Sequence, residues 1–140
     1  TLFRSTGASF DLDAAIRIAL GIASAAEHLH AQGITHGDLY GHNILHGADG
    51  KALLGDFGAA SFVPADDPLV AKALQRIEVR AFACLLEELL AFSALEQDST
   101  VDREKVEKLK SLQAVCAQEN VSARPLFAEI VSVLGALRLP

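Results

Sequence analysis

The 140-residue sequence contains no tryptophan, no methionine and only one tyrosine. Leucine, isoleucine, valine, alanine and phenylalanine must therefore build its hydrophobic core. The sequence also has no excess of positive charge, because 12 Lys and Arg residues stand against 18 Asp and Glu residues, for a formal net charge of −6. Without a basic cluster, neither nucleic acid nor an anionic membrane surface is an expected partner.

Long apolar runs and disulfide patterns are missing as well. No uninterrupted apolar stretch reaches the ~20 residues that a membrane-spanning helix needs, and no signal peptide is recognisable. Cys84 and Cys116 each lie in an apolar helical pattern, and we interpret them as buried free thiols, which predicts a reducing, cytoplasmic location. Since the chain starts Thr1-Leu2-Phe3 and lacks methionine, we expect a piece of a longer product.

Apolar residues make up 51% of the chain, which is enough for one domain with a single core. Asp11 or Asp13 can cap a first helix, and Gly33 can end it. The second helical pattern is apolar nearly all round, which indicates burial at the centre of the domain. Pro125 suits the first turn of the last helix. Helical spacing predicts four helices in all, at residues 11–32, 69–92, 102–118 and 124–137.

The segment between the first two helices contains most of the polar residues that are suited to catalysis or metal binding. From Ile34 to Asn43 it has no helical period and mixes glycine with histidine and aspartate, which predicts a loop. Two short strands, residues 43–46 and 52–57, then flank Ala48-Asp49-Gly50, an Asp-Gly hairpin signal. The sequence therefore predicts a mainly α (α+β) lobe, with one small β-hairpin directly after this loop.

Three side chains around the hairpin are suited to phosphoryl transfer. The reaction needs a hard cation on the phosphates, and magnesium prefers oxygen ligands. It also needs a carboxylate that orients the attacking hydroxyl and accepts its proton. Asp38, Asn43 five residues later and Asp56 a further thirteen residues on can supply these groups. The two strands of the hairpin bring Asn43 and Asp56 together across its open end.

At these residues the chain resembles the protein kinase family. Residues 36–43, His-Gly-Asp-Leu-Tyr-Gly-His-Asn, look like the catalytic loop H-R-D-L-x-x-x-N, and Asp56-Phe57-Gly58 matches D-F-G. Residues 78–90 look like the buried central helix of the family. Residues 124–131 are similar to its R-P-x-F-x-E-I-V last helix, most of all in the receptor-like and tyrosine-kinase-like branch. Residues 1–140 are therefore identified as a protein-kinase-like C-terminal lobe.

The resemblance implies ATP and Mg²⁺ as cofactors and a protein as the substrate. Asp38 would be the catalytic base. Asn43 would bind the second magnesium ion, and Asp56 would bind the magnesium ion that bridges the phosphates. Leu45 would form the floor under the adenine ring.

The resemblance also implies supporting roles. His36 and Phe57 would stack in the column of side chains that holds the active state, with Gly58 completing the D-F-G motif. Glu78 would hold the catalytic-loop backbone, and those hydrogen bonds would satisfy a carboxylate that is otherwise costly to bury. We interpret the other four histidines as surface or loop residues: His28, His30, His42 and His46.

The sequence departs from the family pattern at several places. No glycine-rich phosphate loop and no V-A-I-K-type lysine precede the first helix, so we expect that the N-lobe is missing and that the fragment alone is inactive. Gly37 replaces the arginine of H-R-D, which in the family contacts an activation-loop phosphate. Glu78 follows Asp56 by only 22 residues, without an A-P-E motif. We therefore expect a short activation segment that phosphorylation does not switch on, and Arg124 lacks its family partner.

Three functions are left open. A protein kinase would transfer the γ-phosphate of ATP to a protein hydroxyl, and the intact Asp38, Asn43 and Asp56 favour it. A pseudokinase scaffold would keep the fold without turnover, and Gly37 and Tyr40 favour it, because Tyr40 replaces the lysine that contacts the transferring phosphate. A small-molecule phosphotransferase is the third, since aminoglycoside and choline kinases have a similar His-Gly-Asp loop without that lysine.

One expectation concerns the surface around Leu45 and Phe57. This surface should be apolar and uncovered if the N-lobe is missing. Exposed apolar patches promote association, so we predict possible self-association of the fragment at high concentration.

Overall fold

The structure is a computed structural model that describes residues 11–40, 44–46, 52–92 and 100–138. Along these residues the chain forms four α-helices and two short antiparallel strand pairs. The predicted class, mainly α with a small β-hairpin, is therefore confirmed. None of the described helices combines the length and the apolar character needed to cross a membrane.

Helix α1 spans Leu12–Ala31 and begins at a capping carboxylate. The Asp11 side chain accepts a 2.7 Å hydrogen bond from the Ala14 N–H, one of the donors that a helix start leaves unpaired. Gly33 lies just past the helix end with φ +75°, a left-handed conformation that glycine adopts without steric cost. The buried face of α1 consists of small and branched residues: Ala14, Ala15, Ile16, Ile18, Ala19, Ile22, Ala23 and Ala26.

Helix α2 spans Pro68–Phe92 and is the longest described element. Asp67 caps it, because its side chain accepts a 3.2 Å hydrogen bond from the Val70 N–H. Pro68 occupies the first turn, where a missing N–H leaves no bond unmade. The sequence pattern starts this helix at residue 69, one residue after the observed start.

Burial differs sharply between the two halves of α2. The prediction that the whole helix is buried is wrong for the first half. The large fully buried residues all lie at or after Val79, namely Val79, Phe82, Leu85, Leu86 and Leu89. The large apolar residues before Val79 are exposed, namely Leu69, Val70, Leu74 and Ile77. An apolar pattern shows which side chains favour burial, but it does not show which neighbours are available to cover them.

Helices α3 (Thr100–Cys116) and α4 (Phe127–Leu137) complete the helical body. Helix α3 packs against α2, and α4 packs against α1. A 3₁₀ turn, Val121–Ala123, connects α3 to α4. The buried residues of α3 are those that its spacing indicates: Val106, Leu109, Leu112 and Cys116.

The start of α4 differs from the prediction. The sequence places it at about Arg124, whereas the helix begins at Phe127. Arg124 is extended, with φ −74° and ψ 142°. It precedes Pro125, and the ring of a proline disfavours the helical conformation in the residue before it. Pro125 therefore lies before the helix and not in its first turn.

The β-hairpin consists of β2 (Ile44–His46) and β3 (Ala52–Leu54). Ile44 pairs with Leu54 and Leu45 with Leu53 in antiparallel register. The predicted hairpin is therefore present, and β3 ends at Leu54, three residues before the predicted end. Its Asp-Gly turn lies outside the described residues.

A second strand pair was not predicted. Strand β1 (Ile34–Thr35) pairs antiparallel with β4 (Ser61–Phe62). The Val63 N–H donates to the Gly33 carbonyl at 2.8 Å and extends this pairing. Two-residue strands are too short to show an alternating pattern, so the sequence indicated a loop at Ile34–Thr35 and no strand at Ser61–Phe62.

The two cysteines differ in burial. Cys116 is fully buried, as predicted, and burial raises the pKa of its thiol to about 12. A thiol with so high a pKa is unreactive at neutral pH. Cys84 is only half-buried, contrary to the prediction, and its Sγ accepts a 3.3 Å hydrogen bond from Arg80. Both thiols are free.

Candidate active site

The pairing of β1 with β4 brings the two candidate motifs together. Strand β1 leads directly into His36-Gly37-Asp38, and β4 follows Asp56-Phe57-Gly58 after two residues. Since Thr35 pairs with Ser61, the segments that adjoin these strands must lie close in space. Sequence reasoning assigned this proximity to the hairpin alone.

His36 connects the two motifs through its ring. The side chain is fully buried. Its Nε2 lies 2.8 Å from the carbonyl oxygen of Gly55, and its Nδ1 accepts a 3.2 Å hydrogen bond from the Asp38 N–H. This pair of bonds fits a ring that carries its proton on Nε2. One ring therefore holds the backbone at Asp38 and the backbone immediately before Asp56.

The ring of Phe57, in the D-F-G motif, packs against the catalytic loop. It meets the His36 ring edge-on, with centroids 4.9 Å apart and an interplanar angle of 65°. The contact implied by the resemblance is therefore present. Its importance for an active state stays a prediction. Phe57 is nevertheless exposed, so this ring is covered on one part of its surface only.

Glu78 of α2 binds the backbone of the candidate catalytic loop. Its Oε1 accepts a 3.0 Å hydrogen bond from the His36 N–H, and its Oε2 accepts a 2.9 Å bond from the Gly37 N–H. The side chain is only 5% exposed. A buried carboxylate in this position is stable because it satisfies donors that would otherwise be orphaned.

His30 is a member of this network that sequence reasoning missed. Its Nε2 lies 2.9 Å from Glu78 Oε1, its side chain is only 6% exposed, and its ring meets Phe127 edge-on at 5.2 Å. The interpretation of His30 as a surface residue is therefore wrong. A signal was available, because His30 follows Ala26 by four residues and shares its inward helix face.

The pKa of Glu78 reflects two opposing influences. Burial by itself raises the pKa, because it disfavours the charged carboxylate. The hydrogen bonds from His30 and from the N–H groups of Gly37 and His36, together with the charge of His30, outweigh burial and lower the pKa below its ordinary value. Glu78 is therefore ionised at neutral pH and accepts all of these bonds.

Gly37 has a steric reason to be glycine. Its φ is +88°, and a Cβ at this position would collide with the backbone carbonyl of Ala59. From the sequence, this position shows only that the arginine of H-R-D is missing. The structure shows that the segment after the D-F-G motif passes so close to the loop that no side chain fits between them.

Asp38 lies in a turn next to this contact. The Tyr40 N–H donates to the Asp38 carbonyl at 3.0 Å, and Leu39 between them is fully buried. The Asp38 residue is half-buried. The loop thus has an apolar anchor directly beside the carboxylate that the sequence singles out, and Tyr40 lies on the exposed side.

Asp56 has an uncommon backbone conformation. With φ 51°, it is the one non-glycine residue with positive φ in the described parts of the chain. Such residues cost roughly 1–3 kcal/mol and cluster at functional sites. The residue is exposed, and its Oδ1 accepts a 3.2 Å hydrogen bond from the Gly58 N–H. This bond restricts the orientation of the carboxylate.

The carboxylate of Asp56 is a hard oxygen donor of the kind that Mg²⁺ prefers, whereas Asp38 is the predicted base. Within the described residues there is no group of three or more His, Cys, Asp or Glu side chains that could hold a metal by themselves. Further oxygens are therefore required. Asn43 lies outside the described residues, as does the side chain of Leu45.

Arg124, without a family partner in the sequence, binds backbone carbonyls. Its Nε donates to Gln118 O at 2.7 Å and its Nη1 to Arg76 O at 3.0 Å. The Nε of Arg76 in turn donates a 2.9 Å hydrogen bond to the Arg124 carbonyl. The planar guanidinium thereby connects α2 to the 3₁₀ turn.

Comparison with known proteins places this site in a family. The family model of the protein kinase domain matches residues 2–78, more than half of the chain. The chain therefore belongs to the protein kinase family. The matched part ends at Glu78 and includes both motifs of the candidate active site. The assignment to the receptor-like branch stays a prediction.

Individual kinases are similar beyond this region. The serine/threonine/tyrosine-protein kinase HT1 of Arabidopsis thaliana is 28% identical over 90% of this chain and 40% of its own length. A probable serine/threonine-protein kinase of Dictyostelium discoideum is 26% identical over 89% of this chain and 37% of its own. The mouse serine/threonine-protein kinase TNNI3K is 42% identical over 41% of this chain. The chain thus spans at most about two fifths of the length of these relatives.

Proposed function

We propose that the full-length protein transfers the γ-phosphate of ATP to a hydroxyl group of a protein substrate. The observation that supports this most is the position of His36. Its two ring nitrogens bond the backbone at Asp38 and at Gly55, so the candidate base and the candidate metal ligand are held by one side chain. Phosphoryl transfer depends mainly on such positioning.

Asp38 is proposed to orient the attacking hydroxyl and to accept its proton. Glu78 supports this role because its carboxylate accepts hydrogen bonds from the N–H groups of His36 and Gly37 and so fixes the backbone of the loop. Asp56, with its carboxylate oriented by Gly58, and Asn43 are proposed to hold Mg²⁺. When bound, this ion would neutralise charge on the phosphates. Leu45 is proposed to lie under the adenine ring.

The 140 residues by themselves are proposed to be inactive. No glycine-rich phosphate loop and no V-A-I-K-type lysine precede α1 in the printed sequence. Both hold the nucleotide phosphates in the family, so turnover requires an N-lobe as a further partner. The free thiols Cys84 and Cys116 favour a cytoplasmic location, which also stays a proposal.

A pseudokinase scaffold is the second candidate. The close approach of Ala59 to Gly37 favours it, because this position has no room for the H-R-D arginine. The short segment between Asp56 and α2 likewise leaves little chain for an activation loop. Neither feature removes Asp38 or Asp56, so we place phosphotransfer first.

The test is phosphotransfer by the full-length protein and its Asp38→Asn and Asp56→Asn variants. Each variant should lose ~10²–10⁴-fold in rate, as expected when a positioned acid or base is removed. Asp66→Asn, an exposed aspartate in the loop before α2, is the matched control and should retain the rate. A protein that binds nucleotide but is as inert as its variants would establish the scaffold instead. Transfer to an aminoglycoside or choline, without transfer to protein, would establish a small-molecule kinase.

A further inference from the structure

His30 contacts the candidate active site from a different element. It lies near the end of α1, its side chain is only 6% exposed, and its Nε2 is 2.9 Å from Glu78 Oε1. Because the Glu78 carboxylate is ionised at neutral pH and can only accept hydrogen bonds, the proton of this bond belongs to Nε2. His30 is therefore a donor of defined direction in the core of the chain.

The carboxylate of Glu78 receives hydrogen bonds from two sides. The N–H groups of His36 and Gly37 come from the catalytic loop, whereas the Nε2 of His30 comes from α1. With the loop donors alone, the flexible glutamate side chain and the loop could shift together. The bond from His30 fixes the carboxylate relative to α1, and a group that is held from both sides positions its neighbours most precisely.

The ring of His30 is itself held by an aromatic contact. It meets the ring of Phe127 on α4 edge-on, with centroids 5.2 Å apart. Phe127 in turn meets Phe82 of α2 edge-on at 5.4 Å, and such arrangements are favoured between aromatic rings. Phe82 follows Glu78 by four residues, so both side chains leave the same face of α2. These contacts connect α1, α4 and α2 around the His30 ring.

We propose that His30 and Phe127 are positioning residues of the candidate active site. Phe127 holds the His30 ring, His30 holds the Glu78 carboxylate, and Glu78 holds the backbone directly before Asp38. The inference rests on the proposed function, because its kinetic consequence requires turnover at Asp38. It extends the site to α4, which lies beyond residues 2–78, the part that the family model matches.

Loss of the His30 donor should loosen the catalytic loop without unfolding the chain. Glu78 would still accept both loop bonds, but its carboxylate would no longer be tied to α1. A displacement of ~1 Å that originates far from the chemistry can lower a rate ~100-fold. The loss should appear in kcat and not in KM for ATP, because neither His30 nor Phe127 belongs to the proposed nucleotide site.

The kinetic test uses the full-length protein with Mg²⁺ and ATP, and measures the ADP released. His30→Phe keeps a ring for the contact with Phe127 but removes the donor, and should lower kcat ~10–100-fold with KM for ATP unchanged. His30→Gln keeps an N–H donor of similar reach and should retain most of the wild-type kcat. His28→Phe, at an exposed position of the same helix, is the matched control and should leave kcat unchanged.

A double variant tests whether Phe127 acts through His30. Phe127→Leu should lower kcat in the wild-type background. It should lower kcat little further when added to His30→Phe, because the ring it holds there has no donor to direct. Residues that act in one path give such non-additive effects, whereas independent residues give losses that multiply. Urea unfolding of each variant verifies that it is folded under the assay conditions.

Hydrogen exchange of the loop amides provides a readout that needs no turnover. Mass spectrometry of the full-length protein without nucleotide follows the peptide that contains His36 and Gly37. Its amides should exchange roughly 5-fold faster in His30→Phe, as expected for one lost hydrogen bond. His30→Gln and His28→Phe should exchange as wild type does. A wild-type protein that is inert towards ATP would refute the proposed function alone, and loop exchange would still decide the positioning by His30.

Three results would overturn the role of His30. These are unchanged loop exchange in His30→Phe, equal losses in His30→Phe and His30→Gln, or equal losses in His30→Phe and His28→Phe. A raised KM for ATP with unchanged kcat in His30→Phe would also overturn it, by assigning the residue to nucleotide binding. Losses that multiply in the double variant would overturn the role of Phe127.

Discussion

The two motifs of the candidate active site are held in different ways. The catalytic loop is part of the helical core, because His36 and Leu39 are fully buried and Glu78 bonds two of its N–H groups. The D-F-G residues are exposed, and Asp56 has a left-handed backbone with a local bond to Gly58. The catalytic loop is therefore fixed by the helical core, whereas the D-F-G segment lies on the surface and is connected to the loop through His36.

The largest expected effect is the loss of the anchor of the catalytic loop. Glu78→Ala should lower the free energy of unfolding by ~3–5 kcal/mol, because two N–H groups and the His30 ring lose their acceptor and each buried unpaired donor costs ~1–3 kcal/mol. Urea unfolding measures the loss. Glu87→Ala, an exposed glutamate of the same helix, is the control and should change stability by less than ~0.5 kcal/mol. Equal losses in the two variants would refute the anchoring.

The next largest loss of stability should come from a substitution that pushes the catalytic loop away from the segment after the D-F-G motif. Gly37→Ala should cost about 2 kcal/mol or more, because it combines a positive φ with a collision against Ala59. Gly135→Ala is the control: a Cβ there meets nothing within 4 Å, so the variant should gain about 0.5–1 kcal/mol from better helix propensity. Thermal or urea unfolding measures both the loss of stability in Gly37→Ala and the gain in Gly135→Ala. A Gly37→Ala protein as stable as wild type would show that the close approach is not required.

The pH dependence of stability should follow the Glu78 carboxylate. Its pKa is lowered in the folded state, so its contribution is present above the ordinary glutamate pKa of ~4.3. That contribution is lost as the pH falls through the lower folded-state pKa. The stability difference between wild type and Glu78→Gln should therefore be largest near neutral pH and shrink below about pH 4. A difference that stays constant across this range would exclude the carboxylate as its source.

The smallest effect concerns the exposed motif. Phe57 and the 70%-exposed Leu53 give this side of the chain uncovered apolar surface, and we propose weak self-association at millimolar concentration. Leu53→Lys should reduce the association in sedimentation, whereas Val133→Lys on α4 should leave it unchanged. A wild-type chain that is strictly monomeric at millimolar concentration would contradict this proposal.

Local signals in the sequence were sufficient to predict the four helices, the β-hairpin and the two motifs, although not the β1–β4 pair or the start of α4. Helix α1 with its Asp11 cap, the β-hairpin and the buried face of α3 all follow from capping, turn and periodic signals that act within a few residues. The family followed from two short motifs, and the contact of Glu78 with the loop backbone followed from the resemblance. The sites of Asn43 and Leu45 stay predictions.

Which of these residues contact one another depends on the tertiary fold. His30 and Glu78 are 48 positions apart, as are Arg76 and Arg124. The collision that excludes a side chain at Gly37 comes from Ala59, and the two ends of α2, both rich in apolar residues, differ in burial because only one of them is covered. The physical reason is common to all four cases. A local pattern records what a side chain favours, whereas burial and long-range hydrogen bonds depend on which neighbours the fold brings to it.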